Sequence, residues 1–202
     1  MNHEFTRRKL LWIGMTLTAS GCVSAPPGLA PRDLVEVDGV TYDRRAQIDP
    51  QYRRQRVRYR GAGEPGSIVV NTDDKFLYLV EGDGWATRYG VGVGQAGLSL
   101  KGNATVGHKA EWPSWTPTEN MMRRKPRLVQ YASGVPGGPD NPLGARALYL
   151  YRGGKDTMFR VHGTNEPWSI GRAVSSGCVR LLNDDVIDLY NRTPVGTSVV
   201  II

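Results

Sequence analysis

At 202 residues and 40% hydrophobic content the chain is long enough for one domain with a sizeable core, with or without a tail, and too short to favour two. Its 25 glycines and 13 prolines, with few stretches of helical period, argue against a helical bundle and predict frequent turns in a mainly β protein. The formal charge of +7 would suit an anionic partner, but the N-terminus argues against nucleic acid.

That N-terminus reads MNHEFTRRKLLWIGMTLTASGC, with a charged start at Arg7, Arg8 and Lys9 and an apolar run from Leu10 to Leu17. It closes on the small residues Ala19, Ser20 and Gly21, the layout of a secretory signal over residues 1–21. The run is too short to span a bilayer permanently. TRRKLL resembles a twin-arginine export signal and LTASGC a bacterial lipobox ending on Cys22, although Ala19 stands where such a box usually has Leu. In that reading Cys22 is the lipidated first residue of the mature protein and its membrane anchor; ordinary cleavage after Ala25 is the alternative. Either way the protein leaves the cytoplasm, and an exported chain is a poor match for a nucleic-acid partner.

Residues 22–66 form a Pro/Arg-rich connector. Its segment YDRRAQIDPQYRRQRVRYR has two readings, a contact with anionic phospholipid, lipopolysaccharide or acidic wall polymer, and a solvated tether. The folded domain is expected over 67–202. It opens with SIVVNTDDKFLYLVEGDGWATRYGVGVG, which predicts three strands joined by turns at Asn71–Asp74 and Gly82–Gly84. A long Pro-, Gly- and Trp-rich segment follows from Glu111, and a segment of this length in a compact domain is functional or disordered. Trp112 and Trp115 favour an ordered one, either stapling it to the sheet or walling a substrate cleft. Further strands are predicted at RALYLY, TMFRVHG and the terminal GTSVVII. One helix is predicted near the C-terminus, with Asn183 as N-cap, Asp184 and Asp185 at its positive end, Val186, Leu189 and Tyr190 on one face, and Pro194 as its stop.

Before that helix lies AVSSGCVRLLN, and its Cys178 has four possible roles: packing residue, half of a disulfide, metal ligand or nucleophile. A Cys22–Cys178 disulfide is permitted by an oxidising compartment, but lipidation or cleavage removes Cys22. One Cys and at most two His make an incomplete zinc set, and no CxxC or HxxxH spacing is present, so no metal is expected. A nucleophilic thiol needs a base and oxyanion donors. His3 departs with the signal, leaving His108 and His162; His162 ends the strand TMFRVHG, and a turn-rich stretch returns the chain to Cys178. Ser176 and Gly177 make a small, flexible approach that lets backbone N–H groups point into a pocket.

HGTNEPWSIGRAVSSGCVRL resembles the signature of the L,D-transpeptidases of bacterial cell walls, the YkuD-domain or ErfK/YbiS/YcfS/YnhG family, and the likeness extends over nearly all of residues 67–202. The resemblance implies a β-sandwich or barrel with one or two short helices and a long active-site loop. It implies that Cys178 is the nucleophile and His162 its base, that the Gly163 carbonyl orients the imidazole, and that N–H groups near Gly177 and Cys178 hold the oxyanion. Arg180 becomes a clamp for a substrate carboxylate, its alternative a surface ion pair with Asp184 or Asp185. Ser175 and Ser176 are pocket hydroxyls or turn residues. The histidine usual before Gly-Cys is Ser176 here, which bears on rate and substrate preference more than on reaction class. His108 is given no role. The implied chemistry needs no cofactor: a thioester formed on a peptidoglycan tetrapeptide stem with loss of D-Ala, passed to an amine of another stem or of an outer-membrane protein. Delivery to water, and a non-catalytic wall-binding lipoprotein, are the alternatives.

Overall fold

The computed structural model describes residues 48–95 and 100–202, with the backbone of an antiparallel hairpin of β1 (Leu34–Val37) and β2 (Val40–Asp43). The signal, Cys22 and residues 23–33, 38–39 and 44–47 of the connector lie outside the described residues.

The fold is mainly β. Strands β3 (Gln55–Arg58), β4 (Ile68–Asn71), β5 (Phe76–Gly82), β6 (Trp85–Gly90), β8 (Gly102–Glu111), β9 (Arg146–Arg152), β10 (Lys155–His162), β12 (Val179–Arg180) and β13 (Ser198–Ile201) form one mixed sheet in the order β12-β10-β9-β8-β13-β4-β5-β6-β3. Short β7 (Val93–Gly94) and β11 (Ala173–Ser175) pair separately. The apolar termini of the domain meet at the centre, where β13 runs parallel to β4 with Val199 opposite Ile68 and Ile201 opposite Val70. These four side chains are buried, as expected of β-branched runs inside a sheet.

The meander β4-β5-β6 follows from its turns. Asn71 Oδ1 accepts from the Asp73 and Asp74 N–H groups, both at 3.0 Å, an Asx-type turn. Asp83 and Gly84 both have positive φ, 51° and 73°, as a two-residue hairpin matched to strand twist requires. Within the segment expected to be connector, β3 pairs with β6 at the edge of the sheet. Ahead of β3, Tyr52 packs so closely on Gly90 that a Cβ there would strike its backbone.

The predicted C-terminal helix is α2 (Asn183–Arg192), which buries Val186 and Leu189. Its N-cap is Leu182, with no side-chain cap. Asn183 is not the cap because its Oδ1 accepts from the Ala145 N–H at 3.0 Å, a bond across the fold that takes the capping oxygen. Lys109 of β8 closes the other end, its Nζ donating to the Tyr190 and Thr193 carbonyls at 2.6 and 2.7 Å, where unpaired carbonyls attract a cation.

The long segment contains the second of the one or two short helices that the resemblance implies, at a place the residue patterns did not mark. Residues 112–145 leave the end of β8 and return at the start of β9, its antiparallel neighbour, with the Trp112 N–H bonded to the Ala145 carbonyl at 2.8 Å across the neck. Within it Thr118 caps α1 (Glu119–Arg124), and a 3-10 turn follows over Pro126–Tyr131. These six-residue pieces between prolines are too short to show an amphipathic period. Buried Asn141 holds the segment from inside, donating to the Val135 and Pro136 carbonyls at 3.0 and 2.9 Å and accepting from the Leu143 N–H at 2.8 Å.

Candidate active site

His162 ends β10, and β12 lies parallel beside it with Val161 opposite Val179 and His162 opposite Arg180. This pairing, closed by the Leu181 N–H to the His162 carbonyl at 2.8 Å, sets Cys178 immediately before β12 and against the middle of β10. There β10 is irregular. Asp156 pairs with Tyr151 and Arg160 with Tyr149, so Thr157, Met158 and Phe159 bulge opposite Leu150. The bulge carries Met158 at φ 64° and aims its carbonyl at the thiol, 4.0 Å from Cys178 Sγ. Bulges of this kind re-aim groups beside active sites.

A cavity of about 370 Å³ opens over this junction and is lined by Cys178, His162, Arg180, Ser175, Ser176 and Trp115 among others. His162 is buried, and its Nδ1 lies 2.6 Å from the Gly163 carbonyl oxygen. A carbonyl only accepts, so Nδ1 carries the proton and Nε2 is the basic nitrogen. Gly163 can sit there because it lacks a Cβ, which would collide with Asn183 Oδ1. Burial, with the charges of Arg180 and Arg160 added, lowers the His162 pKa to about 3 against the opposing pull of the Gly163 carbonyl. Burial likewise pushes the Cys178 thiol up, and the Arg160 N–H and the Arg160 and Arg180 charges offset it only in part. The resting cavity therefore holds a neutral thiol and a neutral imidazole on its wall. Such a pair can attack a carbonyl once the imidazole takes the thiol proton as the bond to carbon forms.

A family model described as the YkuD L,D-transpeptidase catalytic domain matches residues 65–201. The chain belongs to that L,D-transpeptidase family. The "Probable L,D-transpeptidase ErfK/SrfK" of Escherichia coli is 42% identical over 139 residues, which are 67% of this chain and 43% of that protein. The chain thus spans less than half the length of that curated relative. A Fuscovulum blasticum protein read from the ATP synthase subunits region, and named for the same family, is 30% identical over 206 residues covering all of both chains. A solved structure from Brucella melitensis, named as a probable carnitine operon oxidoreductase, is 49% identical with a TM-score of 0.52, over 78% of this chain and 98% of that one. A dinucleotide fingerprint would need a glycine-rich turn opening a helix. In this transpeptidase-family chain, Gly92 instead bridges Arg180, Gly94 lies in β7, and the next element among the described residues is β8.

In the transpeptidase-family site, Ser175 is a brace: its hydroxyl donates to the Cys178 carbonyl at 2.6 Å and accepts from the Gly177 N–H at 3.2 Å. The Gly177 N–H is thereby committed inside the loop, at φ 135°. That removes one of the two oxyanion donors expected from sequence and leaves Cys178 N–H as the candidate. Ser176 reaches the cavity wall. Arg180 pairs with Glu166 at 2.6 Å, an acid fourteen positions upstream that the sequence alternatives, Asp184 and Asp185, did not include. Of the two tryptophans, Trp115 lines the cavity while Trp112 stands outside its lining, at the neck of the long segment. His108 stacks on Tyr149, with ring centroids 5.0 Å apart.

Sequence reasoning missed Arg160 and Glu166. Arg160 holds Asp156 through two bonds of 2.7 and 2.8 Å and lies 4.2 Å over the Tyr149 ring. It stands two residues before His162, so strand alternation would have placed both on one face. Glu166 carries no such periodic signal.

Proposed function

We propose that the chain is an exported peptidoglycan L,D-transpeptidase acting through a Cys178 thioester. The observation that supports this most is the position of Cys178 and His162 in one cavity, with the Gly163 carbonyl holding the Nδ1 proton so that Nε2 is free to serve as base.

In the first half-reaction Cys178 Sγ attacks the carbonyl of the third residue of a tetrapeptide stem while His162 Nε2 takes the thiol proton. The Cys178 N–H stabilises the oxyanion. Collapse breaks the amide bond, the D-Ala nitrogen leaves with the proton from His162, and the acyl group remains on sulfur. In the second half an amine of a neighbouring stem or of an envelope protein gives its proton to His162 and attacks the thioester. Sγ departs and regains the proton. Since the thiol is un-ionised at rest, substrate binding must exclude water and align the pair before attack. Export by the signal at 1–21, with lipidation of Cys22, would hold the domain over 67–202 beside its polymer.

The test is mass spectrometry of a disaccharide-tetrapeptide incubated with the protein and with Cys178→Ala. Loss of D-Ala with dimer formation, both dependent on Cys178, is the expected result. Tripeptide without dimers would reassign the enzyme to hydrolysis, and a fully active Cys178→Ala protein would end the thioester reading.

A further inference from the structure

The cavity around Cys178 is charged on one side of neutrality only. Its wall carries Arg124, Arg160 and Arg180 and, among the described residues, no aspartate or glutamate. Two of these cations are compensated by acids standing behind the wall, Arg160 by Asp156 and Arg180 by Glu166. Those pairs orient each guanidinium and shrink its reach.

Arg124 is different. It ends α1, is exposed, and its Nε meets only the Asn120 carbonyl of its own helix, at a long 3.5 Å. Among the described residues no carboxylate pairs with it. Asn120, Met121 and Arg124 all reach the cavity wall, and their three- and four-residue spacing places them on one helical face. Thr118 fixes that face by capping α1, its Oγ1 accepting from the Met121 N–H at 3.2 Å. The opposite wall is the rigid β10–β12 pair. A bare structural role would be to offset the carbonyl end of α1, but Arg123 occupies the same last turn and does not line the cavity.

We propose that Arg124 is a specificity-determining residue that reads a free carboxylate of the peptide substrate and discriminates against its amidated form. This rests on the reading that a stem peptide enters the cavity. A guanidinium fork matches a carboxylate with two parallel charged hydrogen bonds, whereas a carboxamide offers one acceptor and turns a donor toward a donor. Because Arg124 is exposed, solvent screens the contact, and a preference of about fivefold is expected.

Binding and chemistry are read separately. Cys178→Ala protein is titrated by calorimetry with L-Ala-γ-D-Glu-diaminopimelate-D-Ala tetrapeptide, either with free carboxylates or with the D-Glu and distal diaminopimelate carboxylates amidated. The free acid should bind about fivefold more tightly, and less so in high salt. Adding Arg124→Gln should abolish the preference, Arg124→Lys should retain part of it, and Arg123→Gln should leave it intact. A preference that survives Arg124→Gln, one lost equally in Arg123→Gln, no preference at all, or no binding of either peptide would overturn the proposal. Turnover of the same peptides by the Cys178 protein decides the other question. Arg124-dependent binding without Cys178-dependent release of D-Ala would leave carboxylate reading standing and refute acyl transfer.

Discussion

Cys178 and His162 are kept uncharged by the same cause, since burial disfavours the thiolate and the imidazolium alike. The neighbouring Arg160 and Arg180 favour the thiolate but also oppose an imidazolium, so they do not build an ion pair. Alkylation of Cys178 by iodoacetamide should therefore be slow near neutral pH and keep rising into the alkaline range, with no plateau from about pH 5 upward of the kind a thiolate–imidazolium pair produces. His162→Ala should barely move that profile yet lower acyl transfer by roughly 10²- to 10⁴-fold. A neutral-pH plateau abolished by His162→Ala would show instead that the resting site is ionised. Ser176 takes its meaning at this scale too: it puts a short hydroxyl on the wall where the family usually has an imidazole, so His162 is the one histidine among the cavity-lining residues.

The catalytic elements and the segment over them differ in how they are held. β10 and β12 are joined by backbone pairing and buried Val161, Val179 and Leu181. Residues 112–145 depend on a few polar contacts, chiefly Asn141, which is 1% exposed and satisfies three backbone groups. Asn141→Ala strands the Pro136 carbonyl and the Leu143 N–H, at about 1–3 kcal/mol each before water re-enters, while the Val135 carbonyl keeps the Trp115 N–H. The segment should loosen while the sheet persists. Limited proteolysis checks this: new cleavage confined to 112–145, with turnover reduced, is expected, and cleavage spread over the whole domain would mean that Asn141 supports the core instead.

Across the whole molecule, charged groups tie α2 to the sheet with opposite dependence on pH. Glu81 on β5 accepts from Arg56 of β3 at 2.7 Å, from Arg192 of α2 at 2.8 Å and from Thr87 of β6, bonds that lower its pKa to about 2. Unfolding returns it to about 4.5, so its contribution is present above that value and is lost as the pH falls toward 2. Asp185 runs the other way. It is 5% exposed, its Oδ2 has no hydrogen-bond partner, and Arg54 approaches Oδ1 only to 3.7 Å. Burial therefore outweighs its position in the first turn of a helix and pushes its pKa up to about 7 from 3.8. Between those values the folded chain holds a proton the unfolded chain has lost, so stability falls as pH rises through the window, and above it the buried charge carries its full penalty. Asp185→Asn should raise the melting temperature at pH 8 and change it little at pH 4, whereas Glu81→Gln should cost stability at pH 8 and little at pH 2. Equal shifts of Asp185→Asn at both pH values would show that packing, not charge, governs the site.

The order of strands in the meander, the apolar terminal strand, the helix face at Val186 and Leu189, and the meeting of Cys178 and His162 at one cavity were legible in the sequence, because each rests on local period, turn chemistry or a short motif. What lay beyond it was set by contacts between distant residues. Asn183 has the composition of a cap, but Ala145 takes its oxygen; the Gly177 N–H looks available for an oxyanion, but Ser175 holds it; Arg180 has acids nearby in sequence, yet Glu166 reaches it in space. In each case one donor or acceptor had several chemically equal partners, and only the folded backbone brought one of them within bonding distance. The neutrality of the Cys178–His162 pair is of the same kind, since burial belongs to the assembled core and to no residue alone.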